Sequence, residues 1–162
     1  MVKKGLNIIG CKFESTKEIE LILEKIGSYR KEHNTFLQIF NPDFVIGKEH
    51  LLWAYDKAKR SFEHKTNRAD SLEIEILLWA SGERQIKNAI KTIGIKENSK
   101  KFALLIDSDL NDFLHVMECK RDDTVLDPSI NKLKNFGISE NEIDSVENPY
   151  DLIFEKLSTS IL

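Results

Sequence analysis

Four groups of residues have types and spacings that could do chemistry. Asp107-x-Asp109-x-Asn111, followed by Glu118, matches the acidic positions of a twelve-residue calcium loop, whose oxygens surround the ion. Such a loop needs Gly at its sixth position for the sharp turn, and here that residue is Asp112. The segment before it reads as a strand, not an entering helix. An acidic turn at a strand end is the plainer reading of 107–118, with a calcium or other small-ligand sensor as the alternative. Gly47-Lys48 ahead of a helical pattern invites a phosphate loop. The glycine required five residues earlier is Pro42, however, and Glu49 stands where Ser or Thr belongs. His33, His50, His64 and His115 lack metal-ligand spacing, and no G-x-S-x-G elbow occurs. Cys11 and Cys119 read as packing residues. Nothing assembles a catalytic site, and neither a metal nor a cofactor is expected.

Binding chemistry is better represented. Trp53, Lys57, Arg60 and His64 recur at i, i+4, i+7 and i+11, and Lys59, Lys65 and Arg68 extend the positive charge. Cations neutralise phosphates and an exposed ring stacks a base, so this stripe suits nucleic acid. A solvated helix face is the bland alternative. Arg84 and Gln85 stand at the mouth of the next helix, beside unpaired N–H groups and the positive dipole end, a place for an anion. For Arg84 the alternative is a surface ion pair with Glu83 or Glu75, worth little. Near the end of the chain, Tyr150, Ile153, Phe154, Leu157 and Ile161 form a wide apolar stripe. It either docks on its own core or is shared with a partner protein.

The elements that must position these residues are legible in outline. Leu72–Asp107 reads as strand, tight loop, helix, strand, the centre of the chain. Glu73-Ile74-Glu75-Ile76 alternates and runs into Leu77-Leu78-Trp79 before Ala80-Ser81-Gly82. Ile86, Ala89, Ile90 and Ile93 make a buried helical stripe, Gly94 sits at a left-handed C-cap position, and Phe102–Ile106 is a buried strand. Upstream, Leu6–Phe13 is a first strand that Gly10 weakens. Ser15 and Glu18 form a capping box for a helix with inner face Ile19, Ile22, Leu23 and Ile26. Thr35–Phe40 is a second strand, closed by Asn41-Pro42. A long helix runs from about Gly47 to His64 on a core stripe of Leu51, Tyr55, Ala58 and Phe62.

Downstream, Leu110–Cys119 is a short helix or a further strand. Three short helices follow, started by Asp127-Pro128, by the capping box Ser139–Glu142 and by Asn148-Pro149. Phe136-Gly137-Ile138 repeats the helix-ending chemistry of Ile93-Gly94-Ile95. The fold class is α/β, a four-stranded sheet (five if 110–119 is a strand) covered by helices, with a helical C-terminal cluster.

Composition sets the bounds. The 162 residues are most economically one domain, 1–162, with two lobes as the alternative. No apolar run approaches the roughly 20 residues of a membrane span. Asn7 and Lys12 interrupt the N-terminal apolar stretch, so no signal peptide is expected. Two cysteines 108 positions apart fit a reduced cytosolic protein. The net charge of −3 hides an asymmetry. Residues 1–68 carry 13 Lys and Arg against 9 Asp and Glu, whereas 107–162 carry 5 against 13. A polyanion could meet the first region while the second repels it.

Strand, Ala80-Ser81-Gly82-Glu83-Arg84-Gln85-Ile86, helix, Gly94-Ile95, strand resembles the smallest kinase-binding subunit of the KEOPS complex, the PRPK-binding protein family. The resemblance runs from Leu6 to about Ile106, includes the Asn41-Pro42 turn, and returns in the closing helix. It implies a mixed, partly antiparallel sheet where strand–helix alternation alone favours a parallel one. It also implies a non-catalytic subunit. KEOPS installs threonylcarbamoyl on adenosine in tRNAs that decode ANN codons. A metal-dependent transferase subunit performs that chemistry, beside a small atypical kinase that acts as an ATPase. The implied partners are that kinase, bound at its N-terminal lobe, and tRNA, recruited through its 3′ CCA end. Joined to the residues, this makes Arg84, Gln85, Lys57, Lys59, Arg60 and Trp53 the expected RNA contacts. Ile153, Phe154 and Leu157 become the expected kinase contacts.

Overall fold

A computed structural model describes residues 5–161, the Ile161 side chain lying outside the description. The chain packs as two compact units: the residues up to Pro42 with Ile95–Leu126, and Asp43–Gly94 with the residues from Asp127 onward. Among the described residues no helix is long and apolar enough to cross a membrane.

The first unit holds the sheet. Its strands are β1 (Asn7–Phe13), β2 (Leu37–Phe40), β3 (Lys101–Ile106) and β4 (Cys119–Arg121), in the order β2-β3-β1-β4. Three of the expected strands are present; the one predicted from Leu72 is absent, and β4 arises instead at the end of the 110–119 segment. Every neighbouring pair is antiparallel, so the sheet is not mixed. Asn7 lies opposite Ile106, and Phe13 opposite Cys119. Because side chains alternate along a strand, Ile9, Cys11, Phe13, Leu37, Ile39, Phe102, Leu104 and Ile106 share one face. They pack with Ile22, Ile26 and Tyr29 of α1 (Ile19–His33) and with Phe113 and Met117 of the helix at Leu110–Met117. That helix resolves the ambiguity at 110–119: Glu118 takes a left-handed conformation, and the chain turns back into β4.

Two expectations for α1 fail. It starts at Ile19, with Glu18 as an N-cap that makes no side-chain bond, so the Ser15–Glu18 box does not form. Its inner stripe is Ile22, Ile26 and Tyr29, while Leu23 is 52% exposed. Gly10 has a positive role in β1. A β-carbon there would collide with the Asp122 carbonyl oxygen and with Val125, so glycine permits the close approach of the turn after β4.

The second unit is helical. It contains α2 (Gly47–Glu63), α3 (Leu72–Ser81) and α4 (Ile86–Ile93). With the first-unit helix Leu110–Met117 as α5, the closing helices are α6 (Ile130–Asn135), α7 (Glu140–Asp144) and α8 (Leu152–Ile161). The main correction lies at 72–81, a helix where a strand is predicted. Ser71 caps it by accepting from the Ile74 N–H, and Gly82 ends it at φ 73° in the left-handed region. Ile76, Leu77, Leu78 and Ala80 are all buried, and an element that is apolar on most sides loses the helical period. In α4, Ala89 and Ile93 are buried, but Ile86 and Ile90 are 41% and 49% exposed. Gly94 is extended, at φ −67°, not left-handed. Its lack of a side chain matters because a β-carbon would strike the Ile90 carbonyl.

The C-terminal cluster forms as expected, around Ile46, Leu133, Ile138, Ile143, Ile153 and Leu157. The cap of α6 is Ser129, which accepts from Lys132, two residues beyond the predicted Asp127. The Ser139–Glu142 capping box is present, Gly137 ends its helix at φ 81°, and Pro149 opens the turn that leads into α8.

Candidate nucleic-acid interface

The residues that gather are cations and indoles on α2 and α3. Along α2, Leu51, Ala54, Tyr55 and Ala58 are buried, which turns Lys57 and Arg60 outward as the period predicts. Lys57 Nζ lies 5.7 Å from the centre of the Trp53 ring and 6.0 Å from that of Trp79. The two indoles meet edge to face at 5.9 Å. Arg68, on the loop between α2 and α3, sits 5.9 Å from the Trp79 ring, and Lys59 sits 5.6 Å from Tyr55. A cation over an aromatic face is attracted by the ring quadrupole. The result is a shelf of positive charge laid on two half-buried indoles.

Trp53 is not the open ring that the sequence suggests. Its other neighbour is Phe154 of α8, 5.8 Å away, and both belong to the rim of the C-terminal core cluster. Trp79 was not among the expected contacts, because 72–79 read as a strand, and Arg68 was read only as extending the positive charge nearby. Once Ser71 and Gly82 are read as helix caps, Glu75 and Trp79 fall one turn apart on one side.

Beneath the shelf, Glu75 is fully buried and fully bonded. One carboxylate oxygen accepts the backbone N–H groups of Arg68 (2.8 Å) and Ala69 (2.9 Å), and the other accepts Trp79 Nε1–H at 3.1 Å. Trp79 Nε1–H is shared with Ser61 Oγ, also at 3.1 Å, and Ser61 donates to the Lys57 carbonyl. A buried carboxylate is tolerated only with such donors around it. One side chain thus fixes both the loop that carries Arg68 and the indole.

Arg84 and Gln85 lie at the mouth of α4 and are exposed, as expected. Gln85 is the N-cap residue but makes no capping bond, and its side-chain oxygen accepts from Asn88 at 3.4 Å. Arg84 Nε donates to the Ser160 carbonyl of α8 at 3.1 Å, a partner that the sequence reading did not foresee.

The apolar residues expected to meet a partner are placed differently. Ile153 is 0% and Leu157 1% exposed, at the centre of the C-terminal cluster, and Phe154 is half-buried. The stripe faces its own core, because α8 closes over α6 and α7. The apolar side chains that do reach the surface of this unit include Ile86 and Ile90, one turn apart on α4.

The 107–118 segment is not a calcium loop. Asp107 accepts from the Thr35 hydroxyl (2.6 Å) and the Phe36 N–H (2.9 Å), and Asp109 caps α5. Glu118 pairs with Lys17 at 3.3 Å, and this bond holds its carboxyl below the usual range. Among the described residues no three His, Cys, Asp or Glu side chains come together as a metal site.

The family model for the kinase-binding protein CGI-121 matches residues 13–159. The chain belongs to this family. The regulatory protein Cgi121 of Methanocaldococcus jannaschii is 37% identical over 111 residues, covering 62% of this chain and 72% of that relative. The matched span takes in both units, including the shelf, the mouth of α4 and the C-terminal cluster. Family membership makes this a kinase-binding, regulatory type of protein and supports its reading as a KEOPS subunit.

Proposed function

We propose that the chain is the non-catalytic subunit of a KEOPS tRNA-modification complex that binds and supports the atypical kinase and helps recruit tRNA through its 3′ CCA end. The observation that carries this reading is the kinase-binding family match across 13–159. The cationic shelf supports the RNA part. Lys57, Lys59, Arg60 and Trp53, with Arg84 and Gln85 at the α4 mouth, offer charge, ring surface and helix-end N–H groups to a phosphate chain. For the kinase, the burial of Ile153 and Leu157 moves the docking surface outward. Exposed Ile86 and Ile90 on α4 supply the apolar anchor that a protein interface requires at its centre.

Two measurements test the reading together. Tagged protein should capture the kinase from a purified mixture, and Ile90→Asp should lose that capture while its melting temperature stays near wild type. Gel shifts should show salt-dependent binding of tRNA that weakens when the CCA end is removed. Capture of tRNA without any dependence on salt or on the 3′ end would sink the RNA half. Kinase capture undisturbed by Ile90→Asp would remove α4 from the interface.

A further inference from the structure

In the sheet of the first unit, charge faces charge at one place. Lys12 of β1 stands opposite Lys101 of β3 on one side and opposite Lys120 of β4 on the other. Among the described residues no other facing pair of the sheet joins two charged side chains. Directly opposed residues point to the same face, so three lysines form a row across three strands. With strands about 4.8 Å apart, the row is roughly 10 Å long. All three residues are exposed. Like charges set directly opposite one another destabilise a sheet, so the register of β1, β3 and β4 concentrates positive charge against the interest of the fold.

The surroundings of the row limit what it can bind. Asp122 pairs with Lys12 at 2.9 Å and also accepts from Thr124, which leaves Lys101 and Lys120 on either side of a pair already made. Arg121 is engaged by Asp123, and Glu14 is the other carboxylate of the open recess beside β4. No exposed large apolar residue stands on β1, β3 or β4, so the row offers nothing that would enter a bilayer. The nearby rings, Phe13 and Phe102, are buried, and a base needs an exposed ring to stack on. What remains is a line of ammonium groups that suits a chain of phosphates and reads no base.

We propose that Lys101, Lys12 and Lys120 form a docking row for the phosphate backbone of double-stranded RNA. This rests on the RNA-binding half of the proposed function and adds to it a separate surface, in the first unit, that takes paired RNA without regard to sequence or to the 3′ end. The phosphates separate the lysines electrostatically, so the repulsion present in the free protein is relieved on binding.

The full chain is titrated with three labelled RNAs: tRNA, tRNA trimmed of its CCA end, and a blunt-ended RNA hairpin. The double variant Lys101→Thr with Lys120→Thr places a strand-favouring residue at each position. It should weaken binding of the hairpin and of the trimmed tRNA about tenfold and lower the salt slope by about two. Arginine at both positions should restore affinity, and kinase capture should persist in both variants. Without RNA, the double variant should melt at or above wild type in low salt, and added salt should raise its melting temperature less than that of wild type.

Hairpin binding that is absent in wild type, or equally tight in the double variant, would overturn the row and leave the broader RNA reading standing. No wild-type binding of any of the three RNAs would overturn both. A double variant that melts below wild type in low salt would show that the row serves the fold itself, against the proposal. Vesicles of phosphatidylserine and phosphatidylcholine that bind wild type and lose the double variant, with hairpin affinity unchanged, would assign the row to a membrane surface and overturn it as well.

Discussion

His50 has no exposed surface, and both of its ring nitrogens are used. Nδ1 accepts the Ile46 N–H at 3.1 Å, and Nε2 lies 2.9 Å from the Ala80 carbonyl, an arrangement that fits the neutral ring with its proton on Nε2. Burial, outweighing the carbonyl, pushes its pKa down to about 4. The unfolded chain takes up this proton near pH 6.5 and the folded chain only near 4. Stability linked to His50 is therefore complete above pH 6.5 and falls as the pH drops from 6.5 to 4. Below 4 this group adds no further loss. The loss across that window is roughly 3 kcal/mol. Thermal melts between pH 7 and pH 4 should show it, and His50→Gln, less stable throughout, should have a flatter profile there. An unchanged slope in the variant would assign the pH dependence to other groups.

The same chemistry explains why Glu75 misleads a reader of the sequence. Glutamate in an alternating run signals a solvent face, and here the carboxylate is fully buried under three N–H donors. The donors come from positions 68, 69 and 79, and no periodicity rule links them. His50 is hidden for the same reason. The cations at 57 and 60 were legible because helical spacing turns them away from the buried stripe of α2.

Among the elements, α3 shows what pattern reading lacks when a helix is buried on most sides. Its apolar residues have no preferred face, and the only surviving signals are its ends, Ser71 and Gly82. Gly82 is the sharper of the two. It is left-handed at φ 73°, and a β-carbon there would stand 2.9 Å from Leu157 Cδ2. Gly82→Ala should lower stability by about 1–2 kcal/mol for the backbone alone, with more if α8 cannot shift. A denaturant series should give a lower midpoint at an unchanged slope. For α8 the expectation is more severe. Ile153→Arg buries an unpaired charge in the C-terminal cluster and should collapse the melt, whereas Ile90→Asp on α4 should not. A normal melt for Ile153→Arg would mean that α8 packs elsewhere.

For the whole molecule, the α/β class, three of the four strands and the C-terminal helices were readable from composition, caps and periods. The pairing was not. β4 is three residues long, too short for alternation to declare it, and the antiparallel order depends on contacts between residues about a hundred positions apart. Charge asymmetry was readable and has a consequence at this scale. The last 56 residues carry 13 acids against 5 bases, so a polyanion should be drawn to the cations of the earlier part of the chain. Reversing shelf charges, as in Lys57→Glu with Arg60→Glu, should cut tRNA affinity and flatten its salt dependence while kinase capture continues. A double variant that binds tRNA as tightly as wild type would place the polyanion on another surface.

The sheet order also bears on how the chain is made. β1 leaves the ribosome before its partners β3 and β4, which begin at residues 101 and 119. Synthesis must pass residue 101 before β1 can pair. The helices of 47–93 rely on nearer contacts and can form earlier. A nascent chain halted near residue 95 should therefore show protease-resistant helices beside a still-cleavable N-terminal strand. Closing the sheet would be the late, slow event of biosynthesis.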